Sequence, residues 1–241
     1  MMLLPSIIGG YRRVAGGVDP DWSNVASLLH FDGIDGSTTF TDQTEKEWNL
    51  HGEVEISTAA SRFGGASALF VGGGLSTPDS ADFDFGAGDF TIEGWLCPTA
   101  FSQFRVIYVK RASGANFAPV CLQYDSSDST RISVRMSTNG SSWTVLFSST
   151  IALVTGTFQS FAVVRHGATV ALYINGLAAG SSNALGSSAL MTNTSPVAIG
   201  MDGDASSTYL GYMDDIRITK GVARYLAPYT PPTTPFPNQG P

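Results

Sequence analysis

The stretch that decides the fold is YLGYMDDIRITKGVARY, residues 209–225. The apolar residues on one side of its period-two pattern are Leu210, Tyr212, Ile216 and Ile218. Met213 falls on the other side, and the adjacent pair Asp214 and Asp215 separates the two sets. A strand whose facing changes at one point is typical of a β-bulge, in which one strand carries an extra residue. We therefore interpret this stretch as the closing core strand of an all-β domain, with a bulge at the acidic pair.

Strand-like runs also fill the chain before this stretch. DFTIEGW at 89–95 alternates between residues for a core face and residues for a partly wet face. Clusters of Gly, Ser, Asp and Asn separate the runs from Leu28 to Arg165, a spacing expected of a sandwich. Asn175-Gly176 supplies the two positive φ angles of a tight hairpin turn. The sequence predicts an antiparallel β-sandwich of about a dozen strands, with room for one helical turn at 220–225.

Composition excludes several classes of protein. Of the 241 residues, 43% are hydrophobic and 14% are charged, with a net charge of −7, which indicates a well-cored acidic domain. A nucleic-acid surface would need clustered Lys and Arg, so no nucleic-acid partner is expected. Cys97 and Cys121 lie in apolar runs, where a buried free thiol is common, and a disulfide between them is the alternative.

The two ends of the chain differ from its middle, and the sequence divides into an arm at 1–26, a domain at 27–227 and a Pro-rich tail at 228–241. The arm is either a loosely packed extension or a docking arm. The residues expected to anchor it are Leu3, Leu4, Ile7, Ile8, Tyr11, Arg12 and Arg13. Its charges follow the short apolar run, the wrong order for a secretion signal, and no stretch approaches a membrane span, so maturation in a cytoplasm is expected. The tail is expected either to wrap the surface or to dangle.

The placed stretches resemble the concanavalin A-like, laminin-G-like jelly-roll family, in particular its versions in virion proteins of tailed bacteriophages. The matching stretches are LLHFDGIDGSTTFTD (28–42), RFGGASALFVGG (62–73), DFTIEGW (89–95), LYINGLAAG (172–180) and YMDDIRITKGVARY (212–225). The resemblance implies two curved antiparallel sheets packed face to face, with the first and last strands as neighbours.

Hydrolase members of that family carry a Glu-x-Asp-x-(x)-Glu strand pattern, and this sequence has none. Glu53 and Glu55 lie two apart in a weak strand but do not form the pattern. His30, His51 and His166 are scattered without a nucleophile motif, and each is interpreted as a hydrogen-bonded or solvated side chain. The chain is therefore not expected to be an enzyme.

Calcium is the one cofactor considered. Asp214 and Asp215 at a bulge would point toward one rim, and Asp32 comes within reach if the first and last strands are neighbours. The resemblance implies that a calcium ion at such a rim is frequent. The alternative is that these carboxylates are solvated or bonded to backbone amides, with no metal.

A sugar site would need an aromatic platform with polar groups beside it. Trp95 with Glu93, and Trp143, are the candidates, with Tyr124 and Tyr173 as further contributors. The resemblance leads to a non-enzymatic virion structural protein, assembled in the host cytoplasm, that decorates the capsid, neck or tail as a homo-oligomer bound to other virion proteins. The alternative is an adhesin module that recognises a host surface polysaccharide.

Overall fold

The computed structural model describes residues 17–241 and arranges them as fifteen strands in two antiparallel sheets. The first sheet contains β1 (Val25–Leu29), β3 (Val54–Ser57), β4 (Ser67–Phe70), β6 (Phe90–Pro98), β11 (Gln159–His166), β12 (Thr169–Ile174), β13 (Leu177–Ser182) and β15 (Gly211–Lys220). The second contains β2 (Asn49–His51), β5 (Gly74–Thr77), β7 (Val106–Lys110), β8 (Cys121–Tyr124), β9 (Ile132–Met136), β10 (Val145–Ser148) and β14 (Val197–Ile199). Short 3-10 turns occur at Trp22–Asn24 and Ala81–Phe83. The predicted all-β sandwich is confirmed, with more strands than expected.

Strand order shows how the chain closes the sandwich. The first sheet runs β13-β12-β11-β6-β15-β4-β3, with β1 also paired to β15, and the second runs β10-β9-β8-β7-β14-β5-β2. Ser27 pairs with Ile218 and Leu29 with Ile216, so the first and last strands are neighbours, as predicted. The last strand thus lies in the middle of the sheet that also contains the first strand, and the first sheet is built around β15.

The bulge in β15 is real, and it sets which residues reach the core. Pairing with β6 shifts register between Asp214 and Arg217, and Asp215 has φ 53°. The extra residue lets Met213 share the core between the sheets with Ile216 and Ile218. Tyr212 is partly exposed on the outside. The predicted change of facing at the acidic pair is therefore confirmed.

Local turn chemistry also follows the sequence. Ile174 pairs with Leu177 across Asn175 (φ 50°) and Gly176 (φ 74°), the positive φ pair of a two-residue hairpin. Residues 220–225 form no helix, so the single helical turn that the sequence allows there does not occur. Cys97 and Cys121 are free and buried, as predicted. No helix within residues 17–241 is long and apolar enough to cross a membrane.

Residues 222–241, called the cover segment, lie on the outside of the first sheet. Ala162 and Val164 of β11 and Tyr173 of β12 form an apolar cluster there with Tyr225 and Tyr229. Those two tyrosines stack with ring centroids 3.6 Å apart. Farther along, Phe236 is only 5% exposed. The Pro-rich tail therefore wraps the surface, which was one of its two expected states. The predicted anchoring residues, from Leu3 to Arg13, lie outside the described part of the chain.

Candidate functional site

The outer face of the first sheet is occupied by a buried ion network of Asp19, Glu93, Arg217 and Arg224. Arg217 Nη2 donates to Glu93 Oε1 at 2.8 Å and its Nη1 donates to Asp19 Oδ2 at 2.9 Å. Arg224 Nη2 donates to the same Asp19 oxygen at 2.9 Å. All four side chains are less than 10% exposed. Burial alone would lower the pKa of Arg217, but the two carboxylates raise it, so the guanidinium stays charged.

The cover segment completes this network. The Tyr225 hydroxyl donates to Glu93 Oε2 at 2.7 Å, and the Arg217 guanidinium lies 3.8 Å from the Phe236 ring centroid. Burial, followed by the charge of Glu93, raises the pKa of Tyr225, so its hydroxyl remains a donor. Both Glu93 oxygens are therefore engaged by the protein itself, and the network is structural.

Two of the three predicted glycan-binding residues are consequently not available, which corrects that prediction. Glu93 is 1% exposed and Trp95 is 4% exposed. Trp95 is covered by the Arg62 guanidinium at 4.1 Å and by Phe63, whose ring meets it edge-on at 5.6 Å. An aromatic platform needs an open ring face, and this one is closed. Tyr124 is buried in the core, and Tyr173 packs against Tyr229.

The acidic corner, Asp32, Asp214 and Asp215, lies at the bulge. Asp214 Oδ2 accepts hydrogen bonds from the backbone N–H groups of Arg62 and Phe63 at 2.6 and 3.1 Å. Asp215 uses both oxygens: Oδ1 pairs with His30 Nδ1 at 2.5 Å and Oδ2 accepts from the Phe236 N–H at 2.8 Å. The hydrogen bonds of the acidic corner thus connect the end of β1, the loop at residues 62–65 and the tail to the bulge.

The electrostatics of the corner follow from burial. Desolvation raises the pKa of Asp214 well above its ordinary value, and the charges of Asp215 and Asp32 raise it further against the two backbone hydrogen bonds. Asp32 is exposed. Within residues 17–241, no group of three or more His, Cys, Asp or Glu side chains converges in a way that could hold a metal ion. As arranged, the carboxylates do not fit a calcium shell, because N–H donors already occupy three of their oxygens.

The histidines are hydrogen-bonded, as expected. His30 pairs with Asp215, His51 Nε2 lies 2.8 Å from Ser76 Oγ, and His166 Nδ1 lies 3.1 Å from Asp89 Oδ2. Each histidine thus has a hydrogen-bond partner within the fold: a carboxylate for His30 and His166, and a serine hydroxyl for His51.

The outer face of the second sheet, called the open face, has a different character. One row of paired residues crosses the whole sheet: Asn49, Ser76, Ala198, Val109, Cys121, Arg135 and Leu146. These residues point away from the core, since their strand neighbours Leu75, Ile199, Leu122 and Val134 lie inside it. The middle of the row, Ala198, Val109 and Cys121, is at most 1% exposed and is covered by an apolar cluster that includes Ala118 and Met201. The exposed surface of this face therefore lies toward its ends, at Asn49, Arg135 and Leu146.

Trp143, the third predicted glycan residue, lies on this face. It packs against an apolar cluster that includes Cys121, Ala198 and Met201, and it meets Phe117 edge-on at 5.2 Å. Its side chain is partly exposed. Trp143 is thus on the opposite side of the sandwich from Glu93 and Trp95, and the structure does not bring the three together.

A polar pocket of about 260 Å³ opens among the loops after β7 and β14. Its lining residues are Arg111, Gly114, Ala115, Asn116, Asp202 and Asp204. Arg111 Nε donates to Asp202 Oδ1 at 3.0 Å, and its Nη2 donates to Oδ2 of the same carboxylate. Asp204 Oδ1 accepts from the N–H and hydroxyl of Ser206. The aspartates of this loop therefore stabilise a turn.

Two further polar side chains on the open face are those of Gln123 on β8 and Arg135 on β9. Arg135 Nε donates to Ser133 Oγ at 3.1 Å, and Ser133 pairs with Gln123 across the strands. Gln123 is 4% exposed, and its Nε2 has no hydrogen-bond partner within residues 17–241. Neither Gln123 nor Arg135 is among the binding residues that the sequence predicts. Alternation in PVCLQY and RISVRM would have placed them outward with Cys121 and Ser133.

The acidic residues beside the open face, among them Asp125 and Asp202, lie in loops. The seven strands of the second sheet contain no Asp or Glu, whereas glycoside hydrolysis needs two carboxyl groups flanking the bond. The face instead offers an indole, an amide, hydroxyls and a guanidinium. Such a set can bind a polar ligand through stacking and hydrogen bonds.

The comparison with known proteins identifies the family to which this fold belongs. A family model described as the concanavalin A-like lectin/glucanases superfamily matches residues 71–223, well over half of the chain. No curated protein matches the sequence.

Similar solved structures include the binding domain of Paraclostridial Mosquitocidal Protein 1, with a TM-score of 0.63 and 14% identity over 83% of this chain and 50% of that one. Domain 4 of AbnA, a GH43 extracellular arabinanase from Geobacillus stearothermophilus, in complex with arabinotriose, has a TM-score of 0.60 and 15% identity over 83% and 94%. The botulinum neurotoxin serotype G binding domain has a TM-score of 0.58 and 13% identity over 83% and 48%. The chain spans about half of the first of these proteins, and at such identities the likeness shows the fold.

Proposed function

The chain belongs to the concanavalin A-like lectin/glucanases superfamily, and from this premise we propose that it is a non-catalytic module that binds carbohydrate on its open face. The observation that carries the proposal is the contrast between the two sheets. In the centre of the first sheet, Glu93 and Trp95 are sealed by their own chain. On the second sheet, Trp143 and Arg135 keep exposed surface at the border of the buried apolar cluster.

Three of the similar solved structures are described in terms that fit such a module. Two are binding domains of toxins, and one is a separate domain of an arabinanase bound to arabinotriose. The absence of Asp and Glu from the seven strands of the second sheet supports binding without hydrolysis. A catalytic role would need a carboxylate pair on an open face, and Glu93 is committed to Arg217 and Tyr225.

A glycan array tests the proposal. The purified protein, displayed on a multivalent carrier so that weak contacts add up, is expected to bind a subset of glycans without shortening them. Trp143→Ala should lower binding at least about tenfold, because aromatic anchors dominate such contacts. Leu226→Ala, an exposed residue of the cover segment, is the matched control and should bind like the wild type. A blank array, or equal binding by both variants, would reject the open face as a carbohydrate site.

We also propose, from the resemblance of the five sequence stretches, that the domain is displayed on a tailed-phage particle through residues 1–26, as a homo-oligomer bound to other virion proteins. The support is those stretches in register. Asp19 belongs to the buried ion network and Val25 begins β1, so the test is to follow particle incorporation of a chain that lacks residues 1–16. If the shortened protein folds and still joins the particle, the anchoring role is wrong, whatever the array shows.

Calcium at the acidic corner stays a sequence-based prediction with a direct test. An ion bound only to the folded state would raise the melting temperature, so adding EDTA would lower it. A fall in melting temperature that Asp32→Asn abolishes would show that the three carboxylates rearrange around an ion. An unchanged melting temperature would reject the site.

A further inference from the structure

We propose that the open face selects sugars that carry an anionic oxygen group, a carboxylate or a sulfate, and that Arg135 is the residue that recognises this group. The inference rests on the proposed carbohydrate-binding function and adds the class of ligand. The first observation is the charge of the second sheet. The protein carries a net charge of −7, yet the seven strands of the second sheet hold two basic residues, Lys110 and Arg135, and no acidic ones.

Lys110 is not free to meet a ligand. Its Nζ lies 2.8 Å from Asp79 Oδ1 and 2.7 Å from Asp84 Oδ1, and the side chain is 1% exposed. Arg111, at the edge of the same face, is likewise neutralised by two bonds to Asp202. Arg135 is therefore the cation that the open face presents without a carboxylate partner within residues 17–241.

The position of Arg135 leaves the two terminal nitrogens of its guanidinium available for hydrogen bonds. Its Nε is held by Ser133 Oγ at 3.1 Å, which orients the side chain along β9. Neither terminal nitrogen has a hydrogen-bond or ion-pair partner within residues 17–241, and the residue is partly exposed. A planar guanidinium with two free terminal groups matches the geometry of a carboxylate or sulfate, and such charged bonds are about twice as strong as neutral ones.

Gln123 supplies an independent observation at the same place. It sits opposite Ser133 on the neighbouring strand, and its Oε1 accepts from Cys121 Sγ at 3.3 Å. Its Nε2 is buried and has no partner within the described residues. A buried donor without a partner is uncommon and is usually satisfied by water or a ligand. Arg135 presents donors at the surface, and Gln123 holds a further unpaired donor that is buried on the neighbouring strand, so the complement of this place is a group made of acceptors.

The position of Trp143 indicates that the anionic group belongs to a sugar and is not a free ion. The indole packs on the cluster that contains Cys121, and Cys121 pairs with Arg135 across β8 and β9. A pyranose ring lying on the indole would bring its substituents toward the Arg135 side of the cluster. A neutral hydroxyl would leave the guanidinium charge uncompensated when water is displaced, which is costly. An anionic substituent removes that cost.

The test is an array in which each acidic glycan stands beside its neutral counterpart: uronic acids beside their methyl esters, sialylated glycans beside desialylated ones, and sulfated glycans beside unsulfated ones. The wild-type protein is expected to bind the acidic member of a pair at least about tenfold better. The pairs also distinguish a carboxylate ligand from a sulfate ligand. Binding should weaken as salt is raised, because the contact is charged and partly exposed.

Three variants test whether Arg135 causes the preference for acidic glycans. Arg135→Gln should abolish the preference for the acidic member with a loss of about ten- to hundredfold, whereas Arg135→Lys should retain part of it, because the charge remains without the fork. Arg131→Gln removes a charge paired with Asp128 at the end of the same strand and should bind like the wild type. Each variant is checked by its melting temperature before binding is measured.

The outcomes are distinct. Preference for acidic glycans that Arg135→Gln removes and Arg131→Gln keeps supports the inference. Equal binding of acidic and neutral members, lost in Trp143→Ala, overturns the inference while the carbohydrate-binding function stands. An acidic preference that survives Arg135→Gln also overturns it. No binding to any glycan of the array overturns both.

Discussion

At the scale of single residues, the most informative contacts are those that occupy the groups that sequence reasoning assigns to ligands. Glu93 is a typical candidate for sugar binding by type and position, yet Arg217 and Tyr225 use both of its oxygens. Residue type and strand alternation cannot show this, because the partners lie more than 120 positions away in the sequence. Arg135 and Gln123 are the reverse case: their own strands predict an outward position, and their missing partners appear only in three dimensions.

The buried ion network gives a first prediction. Arg217→Met removes the partner shared by Glu93 and Asp19 and leaves two carboxylates buried with Arg224 alone. Loss of one partner in a buried pair costs about 3 to 5 kcal/mol, and urea unfolding should show a loss near 3 kcal/mol or more. Arg131→Gln, which breaks a surface pair with Asp128, should cost about 1 kcal/mol or less. Equal losses in the two variants would mean that the network does not stabilise the fold.

Asp19 gives a prediction for pH. Burial raises the pKa of its carboxyl, but the hydrogen bond from Arg224, the Asp21 N–H and the charges of both arginines lower it, and the pKa ends below its ordinary 3.8. A lowered pKa in the folded state adds stability above the unfolded value, and that stability is lost as pH falls through the folded value. The difference in unfolding free energy between wild type and Asp19→Asn should be full at pH about 6 and shrink below about 4. A difference that stays constant from pH 6 to pH 3 would contradict this.

At the scale of elements, the bulge of β15 and the β12–β13 hairpin carry the topology. Both could be predicted because their signals are local: a break in period-two alternation at Asp214 and Asp215, and a residue pair, Asn175-Gly176, suited to positive φ. The pairing of β1 with β15 came from the family resemblance. The cover segment could not be placed from sequence, since its proline-rich composition is equally compatible with a free or a packed tail.

The hairpin provides an element-scale prediction with a matched control. A Cβ at Gly176 would overlap the carbonyl oxygen of Tyr229, while one at Gly186 meets nothing within 4 Å, and both glycines have positive φ. Gly186→Ala should cost about 1 to 2 kcal/mol, the price of a left-handed conformation for Ala. Gly176→Ala should cost clearly more and loosen the cover segment. Thermal unfolding checks both, and equal costs would mean that the contact with Tyr229 does not hold the cover segment.

At the scale of the whole molecule, the described start and the end of the chain meet on one side of the sandwich. Asp19 N–H donates to the Gln239 carbonyl at 2.9 Å, and Phe236 is buried against Val25 and Leu28 of β1, with Trp22 beside them. The open face belongs to the other sheet. A domain attached through this side would present the open face away from its attachment, which suits display on a larger assembly.

The cover segment should therefore be an integral part of the fold. Phe236→Ala removes an aromatic ring that is 5% exposed, and such truncations cost about 3 kcal/mol or more. For a chain of this size, that loss lowers the melting temperature by about 6 to 12 °C. Leu226→Ala, at a side chain that is 68% exposed, should change it little. If both variants melt like the wild type, the tail does not stabilise the sandwich.

A ligand bound on the open face would contact the second sheet and leave the first sheet untouched. The direct measurement is an NMR titration of the isotopically labelled protein with a glycan selected on the array, followed through the backbone amide signals. We expect the perturbed amides to cluster on β8, β9 and the approach to β10, around Gln123, Arg135 and Trp143, while those around Glu93, Trp95 and Tyr225 stay unchanged. Perturbations centred on the first sheet or on the acidic corner would contradict this expectation.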